Sequence, residues 1–383
     1  MEQLGDYITI KTGRMDANAA DPNGIYPFFT CAKELSRIDN WAFDCECVLV
    51  AGNCNPHVSY YKGKFNAYQR VYVIQSRDKG SLNIKYLYYF LKKYMTLVLD
   101  RQRGAIEKFF CLDDFTGIKI ALPDLPTQLR IAGVLRSIDE KIELNRKKIA
   151  ELEALAKTIY DYWFVQFDFP DKNGKPYKSS GGKMVWNEQL KREVPEGWEV
   201  MPLPQIAYYL FGNPFDSSLF NANGEGFPIV RIRNVKDGHT SDFTTETAPN
   251  EYIIENGDFI IGMDGYFDMN HWIGGNAYLV QRSCRISAKD DLYASWLSLS
   301  LVAPIKYLEK SLTGATLAHL GKAHLDKIVL PLPPQSMSNA LSLLNNIVKQ
   351  KVHLGVANLE FKRQRDTLLP LLMNGQVSAG DLK

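Results

Sequence analysis

The sequence predicts an α+β protein: two similar globular α/β domains separated by an antiparallel coiled coil of two long helices, with pseudo-twofold symmetry. Three observations predict this. Blocks of the first half recur in order in the second, two segments carry a heptad seam, and each seam follows one set of the recurring blocks.

The recurrence starts with Gly24-Ile25-Tyr26-Pro27-Phe28, which resembles Gly226-Phe227-Pro228-Ile229-Val230; each reads as a turn followed by an apolar strand. Next, Cys47-Val48-Leu49-Val50-Ala51-Gly52 resembles Asp258-Phe259-Ile260-Ile261-Gly262. Asn66-Ala67-Tyr68-Gln69-Arg70 resembles Asn276-Ala277-Tyr278, with Gln281-Arg282 just beyond. Aromatic-rich helices are expected around Tyr86 to Tyr94 and Leu292 to Leu301, followed by Gly104-Ala105 and Gly314-Ala315. Finally, Ile120-Ala121-Leu122-Pro123 and Ile328-Val329-Leu330-Pro331 each lead into a long helix. The common order implies a duplicated module of about 200 residues.

In the first long helix the apolar positions are Ile131, Leu135, Ile138, Ile142, Ile149, Leu152, Ala156, Ile159 and Trp163, with Asn145 as the one polar interruption. The 4-3-4-3 spacing is a coiled-coil seam, not the broader stripe of an ordinary surface helix. The second seam runs through Ala340, Leu344, Ile347, Leu354, Asn358, Phe361, Leu368 and Leu372, but includes Lys351 and Arg365. Antiparallel pairing about the midpoints sets Asn145 opposite Asn358, an arrangement that fixes register at some cost in stability. An arm of about 33 residues is roughly 50 Å long. The expected boundaries are 1–125 for the first globular domain, 126–166 for the central helix and 167–198 for a linker; 199–335 form the second domain and 336–383 the C-terminal helix and tail.

Composition bounds the function. The 383 residues, 45% hydrophobic, suffice for two or three cores. Lys+Arg 45 against Asp+Glu 43 neither demands nor excludes a nucleic-acid partner. With no apolar run of about 18 residues and no basic-then-apolar leader, a soluble cytoplasmic protein is expected. The cysteines Cys31, Cys45, Cys47, Cys54, Cys111 and Cys284 then read as reduced thiols, and without a C-x-x-C pair no metal site is expected.

The sequence carries no complete motif for chemistry. An adenine methyltransferase needs an Asn/Asp-Pro-Pro-aromatic loop; Asn213-Pro214-Phe215 lacks the second proline, and Asn55-Pro56-His57 lacks it and the aromatic. Gly181-Gly182-Lys183 has neither the spacing nor the hydroxyl of a P-loop, and Asp139-Glu140-Lys141 lies on the coiled-coil helix. No catalytic residue and no cofactor in this chain is expected.

The chain resembles the specificity (S) subunit of type I restriction–modification systems over essentially its whole length. The resemblance rests on the proline-led helix starts at 122–128 and 330–335, on Ile138-Asp139-Glu140-Lys141-Ile142-Glu143-Leu144-Asn145 and on Trp163-Phe164-Val165-Gln166-Phe167-Asp168-Phe169-Pro170. It extends to Asn173-Gly174-Lys175-Pro176-Tyr177, to Pro195-Glu196-Gly197-Trp198 and to Arg365-Asp366-Thr367-Leu368-Leu369-Pro370. The second helix start departs mildly, with Ser336-Met337-Ser338 where an acidic-basic start is usual. The resemblance implies two target-recognition domains, each reading half of a split double-stranded DNA site. It also implies helices that dock two adenine-N6 methyltransferase (M) subunits, joined by motor–nuclease (R) subunits. S-adenosylmethionine would belong to the methyltransferase partners, and ATP with magnesium to the motor. The competing readings are a fused methyltransferase or nuclease with its own active site, and a helical scaffold with two unrelated ends.

On that reading, Lys and Arg serve phosphates while Arg, Gln and Asn read base edges. The first-domain candidates are Lys11 and Arg14 in a first loop, Lys62 and Lys64, Gln69 and Arg70, and the cluster Arg101, Gln102 and Arg103. The second-domain candidates are Arg231, Arg233, Asn234 and Lys236, expected to alternate along a strand and turn, with Asn270 and His271 on a Gly-flanked loop, then Gln281 and Arg282. Half-sites on one face of DNA lie about 34 Å apart, a span compatible with the arms.

Overall fold

The structure, a computed structural model, describes residues 2–32, 34–52, 57–101, 110–312 and 318–380, with only the helical backbone of 96–101. It divides into two compact units, Met1–Lys141 with Phe361–Lys383, and Ile142–Glu360.

The first unit opens with β1 (Glu2–Gln3), β2 (Ile8–Thr12), β3 (Tyr26–Phe29), β4 (Ser36–Ile38), β5 (Phe43–Ala51), β6 (Val58–Ala67) and β7 (Val71–Ser76). Then come α1 (Ile84–Arg101), α2 (Leu112–Thr116), β8 (Lys119–Ile120) and the start of α3 (Leu125–Tyr160). Six strands form one sheet in the order β2-β7-β5-β6-β3-β4, antiparallel except for the β3–β6 pair. Side chains alternate across it, as the two-residue strand period requires. Val48, Val50 and Ile74 face the core that holds Leu87 and Leu91 of α1, whereas Cys47, Leu49, Phe65 and Val73 fill the opposite face. Asp124 caps α3 by accepting from the Thr127 N–H at 3.1 Å. Ile131 and Leu135 of α3 join the α1 core, together with Leu369 and Leu372.

The second unit adds β9 (Met184–Asn187), β10 (Arg192–Pro195), β11 (Glu199–Pro202), α4 (Leu203–Ile206), β12 (Ala207–Phe211), β13 (Phe220–Asn221) and β14 (Phe227–Val230). It continues through α5 (Ile232–Val235), β15 (Phe243–Thr244), β16 (Ile253–Ile254), β17 (Phe259–Gly262), β18 (Met269–His271), β19 (Ala277–Leu279) and β20 (Ser283–Ala288). After α6 (Ala294–Leu312), α7 (Lys322–Leu325) and β21 (Val329–Leu332) comes α8 (Ser338–Met373), whose last turns belong to the first unit. The sheets run β12-β20-β17-β18 and β13-β15-β14-β19-β16, with β14–β19 the parallel pair of the second sheet.

The duplication holds at the level of pairing. β2–β7–β5 corresponds to β12–β20–β17, parallel β3–β6 to β14–β19, and the short β1–β8 pair to β11–β21. Equivalent bridges (Phe29 with Ala67, Val230 with Leu279) align Gln69-Arg70 with Gln281-Arg282. They also correct two expected matches: Ala67 corresponds to Leu279, so Asn276-Ala277-Tyr278 stands two residues out of step with Asn66-Ala67-Tyr68, and Phe28 corresponds to Ile229, one residue out of step with the expected Val230. The Gly104-Ala105 and Gly314-Ala315 matches lie outside the described residues.

The seam positions of both helices are buried or half-buried. Ile131, Leu135, Ile138, Ile142, Leu344, Ile347, Asn358 and Leu372 are buried; Asn145, Ile149, Leu152, Ile159, Leu354, Phe361 and Leu368 are half-buried. Leu144 and Leu155, off the seam, are about half exposed. Asn145 Nδ2 donates to Asn358 Oδ1 at 3.0 Å, and Asn358 Nδ2 donates to the Ile142 carbonyl at 3.3 Å. The two cations in the second seam are matched by carboxylates: Arg365 Nη1 reaches Asp139 Oδ1 at 2.7 Å, and Lys351 Nζ reaches Glu153 Oε1 at 3.0 Å. Within each unit the contacts run antiparallel, Asp139 to Arg365 and Lys141 to Phe361 in one and Asn145 to Asn358 and Glu153 to Lys351 in the other.

The segment expected as a linker is folded. After a π-turn at Asp161–Val165, Phe167 turns the chain at φ 65° and is fully buried. Its ring lies 5.1 Å from that of Trp198, while Phe169 stacks on Tyr177 at 4.7 Å. Asp168 accepts from both the Ser179 N–H (2.7 Å) and hydroxyl (2.6 Å), which hold its carboxyl below the usual range. The β9–β10 hairpin follows, and Val194 and Trp198 enter the second unit's core.

Candidate nucleic-acid interface

A shared turn is the centre of the candidate site in each unit. In the first, the Gly13 N–H donates to Val71 O (3.1 Å), and the Gln69 N–H donates to Met15 O (3.0 Å). In the second, the Gly212 N–H donates to Ser283 O (3.0 Å), and the Gln281 N–H donates to Asn213 O (2.9 Å). A Cβ on Gly13 would stand 2.1 Å from Ala67 O, and one on Gly212 would stand 2.2 Å from Val280 O, so both positions require glycine. These contacts hold an exposed Gln-Arg pair beside the preceding loop, with exposed Arg14 on that loop in the first unit. The loops leave through 3-10 turns capped by Asp16 and Asp216, which accept from Asn18 and Ser218 N–H groups. Sequence reasoning missed this Gly–Asp pair, although a glycine closing an apolar strand shortly before a capping Asp was a usable signal.

Other candidates scatter. Lys11 is exposed on strand β2, not on a loop. Lys62 and Lys64 are exposed on one face of β6; they face Glu46 and Asp44 across the ladder, which offsets their charge, and Lys64 Nζ lies 4.7 Å from the Trp41 ring centre. Tyr60 is tied to Glu46 at 2.7 Å, while Tyr61 packs on Phe29 and Phe65. Gln102 and Arg103 lie outside the described residues, and of Arg101 only the backbone is described.

In the second unit the expected strand carrying Arg231 and Arg233 is instead a one-turn helix, α5, so the two side chains do not share a strand face. Arg231 precedes its first turn with the guanidinium 5.3 Å from the Phe220 ring centre. The Asn234 side chain accepts from the Arg231 N–H at 2.8 Å, closing that turn. Arg233 spends its Nε and Nη2 on Asp242, at 3.2 and 2.5 Å. Lys236 is exposed, and its carbonyl accepts from Asn270 Nδ2 at 2.8 Å. The loop expected for Asn270 and His271 is also corrected: both lie on β18, and the next residue, Trp272, is fully buried. His271 is half-buried, its ring 5.2 Å from Phe259; burial, helped by the Lys351 charge, pushes its pKa down to about 3, so it is neutral near pH 7.

Arg282 differs from these. It is exposed, has a left-handed backbone at φ 71°, and donates from Nη1 to Asp264 Oδ2 at 2.7 Å. The other Asp264 oxygen lies 2.6 Å from His319 Nδ1. Neither Asp264 nor His319 was among the sequence candidates; the Asp264-Gly265 turn, with Gly265 at φ 70°, was the available signal.

Cys45 and Cys47 lie on β5, Cys47 fully buried, and burial raises both thiol pKa values. Among the described residues no group of three or more His, Cys, Asp or Glu side chains could hold a metal ion. No helix among them is long and apolar enough to cross a membrane.

Comparisons with known proteins agree with the duplication. The curated Type I restriction enzyme EcoDI specificity subunit of Escherichia coli is 32% identical over 217 residues, covering 54% of this chain and 48% of that protein. The EcoBI specificity subunit is 28% identical over 194 residues, covering 49% and 41%. The chain thus spans about half the length of these two relatives. The MjaVIII specificity subunit of Methanocaldococcus jannaschii is 24% identical over 99% of this chain and 93% of its own. A crystal structure of a type I restriction–modification S subunit from M. genitalium matches with TM-score 0.64 at 18% identity, covering 97% and 95%, a likeness of fold. The model of the "Type I restriction modification DNA specificity domain" matches twice, over residues 1–154 and 195–349, once per copy of the repeat, and the chain belongs to that family.

Proposed function

We propose that this chain is the non-catalytic DNA-recognition subunit of a type I restriction–modification complex, working in the cytoplasm. Each globular module would read one half of a bipartite site. The observation that carries this reading is the repeated Gln-Arg turn, held by the same backbone hydrogen bonds in both modules. Two copies of one exposed hydrogen-bonding and cationic device suit two stretches of duplex better than one active site. The expected domain boundaries suit this assignment, and we assign 167–198 to the second module because Phe167, Val194 and Trp198 pack in its core.

In this reading the long helices dock two methyltransferase subunits, and motor–nuclease subunits complete the complex. S-adenosylmethionine, ATP and magnesium act in those partners, while this chain orients the DNA. Arg14, Gln69 and Arg70 serve the first half-site, and Gln281 and Arg282 the second. Lys11 and Lys236, and more weakly Lys62 and Lys64 beside their facing carboxylates, contribute phosphate attraction, which weakens with salt.

Methylome sequencing of a host with and without the gene tests the proposal. The expected result is a split adenine-methylated motif that disappears with the gene. Methylation by the purified chain with S-adenosylmethionine alone, or no gene-dependent motif, would sink it.

A further inference from the structure

Three stretches of the second unit converge on one carboxylate. The Met263 N–H donates to Arg282 O (2.8 Å), the Leu320 N–H donates to Met263 O (2.7 Å), and the Gly265 N–H donates to Ala318 O (2.9 Å). Asp264 is thereby held from both sides. Its side chain is only 10% exposed, and its two oxygens are engaged separately by Arg282 and His319. The carboxylate cannot turn without breaking a contact, and it holds the guanidinium at Nη1.

That guanidinium is presented, not buried: the Arg282 side chain is 63% exposed. Only Nη1 is used, so among the described residues its Nε and Nη2 remain unbonded. The other arginines nearby are arranged differently. Arg233 has committed Nε and Nη2 to Asp242, and Arg285 is 28% exposed and turned inward to Asp258 and the Ile253 carbonyl. The left-handed backbone of Arg282 is a conformation that Gly or Asn adopts at lower cost, and it aims this side chain outward from the turn.

We infer that Arg282 is the guanine-reading side chain of the second module and that Asp264 is the residue that positions it. This rests on the DNA-recognition reading above. The pairing chemistry favours a base edge over a phosphate. A phosphate is satisfied by any mobile cation, and a carboxylate beside that cation weakens the attraction. A guanine O6/N7 edge is matched most selectively by two parallel N–H groups in one plane, which the guanidinium held by Asp264 offers and a freely rotating ammonium offers less selectively.

The test is methylome sequencing of a host carrying the complete complex with this chain as wild type, Arg282→Lys or Asp264→Asn. With the wild type, one position of the half-site read by the second module should be a strict G·C pair. Both variants should relax that position, lowering discrimination by roughly 5–150-fold, while the other half-site and the gap stay as they were. Arg282→Lys keeps the charge beside Asp264, so it reports even if Asp264→Asn fails to accumulate. An unchanged motif in Arg282→Lys, whether methylation is full or uniformly weaker, would make the contact a phosphate contact and overturn the inference. An unchanged motif in well-folded Asp264→Asn would overturn the positioning role. Absence of any split motif with the wild type would instead overturn the underlying reading.

Discussion

Gln128 shows how one side chain ties a helix to its module. It is fully buried, accepts from the Asn83 N–H at 2.8 Å and donates to Ser81 O and Pro123 O at 2.9 Å, joining the first turn of α3 to the turn before α1. Gln128→Leu strands those three backbone groups and should cost about 1–3 kcal/mol, read as a lower denaturation midpoint. A loss under about 0.5 kcal/mol would contradict the clamp. The second module makes the same connection from another position: Asn345 donates to Asp291 O and Leu292 O and accepts from the Ser295 N–H, while Gln335 is exposed. The motif at 330–335 therefore marked the helix start but not the residue that anchors it. A second prediction at this scale concerns His271. Its folded pKa of about 3 lies below the ordinary value of 6.5, so below pH 6.5 the unfolded chain takes up a proton that the folded one refuses. The neutral histidine's share of stability is present above pH 6.5 and drains away toward pH 3. Between pH 6.5 and 5 the wild type should lose about 1–2 kcal/mol more than His271→Leu in parallel melts. Equal losses would refute it.

At the scale of elements, the paired helices combine an apolar seam with polar ties. Replacing Asn145 and Asn358 together by leucine removes both polar groups and should stabilise the chain by about 1 kcal/mol; Asn358→Leu alone leaves Asn145 without its partner and should destabilise it by about 1–3 kcal/mol. Thermal melts of the three chains check the ordering, and a double variant no more stable than the single would contradict it. The first seam was legible because every heptad position except Asn145 is apolar. The second was harder to read because Lys351 and Arg365 are explained only by Glu153 and Asp139 on the other helix, which no single-helix pattern reveals. The same limit applied to Arg231 and Arg233: alternation suggested a strand, but Asn234 caps the Arg231 N–H and closes a helical turn. Local hydrogen bonding outweighed the pattern over so short a stretch.

For the whole molecule, the order of recurring blocks carried the fold because, among the described residues, each block is a strand, a helix or a helix start that the core demands in both copies. The candidate site was less legible. Gln69-Arg70 and Gln281-Arg282 were found through the repeat, but the loop that braces them and the carboxylate that grips Arg282 come from distant positions in the chain. If helix length sets the distance between half-sites, inserting one heptad at matching points of α3 and α8 should lengthen the gap in the methylated motif. An unchanged gap would refute that ruler.

The three ties across the helices also constrain how this chain can vary in length. Only one frame satisfies them all, since a slide of seven residues would set Asn358 against Ile138 or Leu152 and Arg365 against Ala132 or Arg146. Residues gained or lost on one strand of the pair alone would therefore mismatch every tie beyond that point, whereas balanced changes on both leave the frame intact. Viable relatives of different span should differ by matched additions to the two helices.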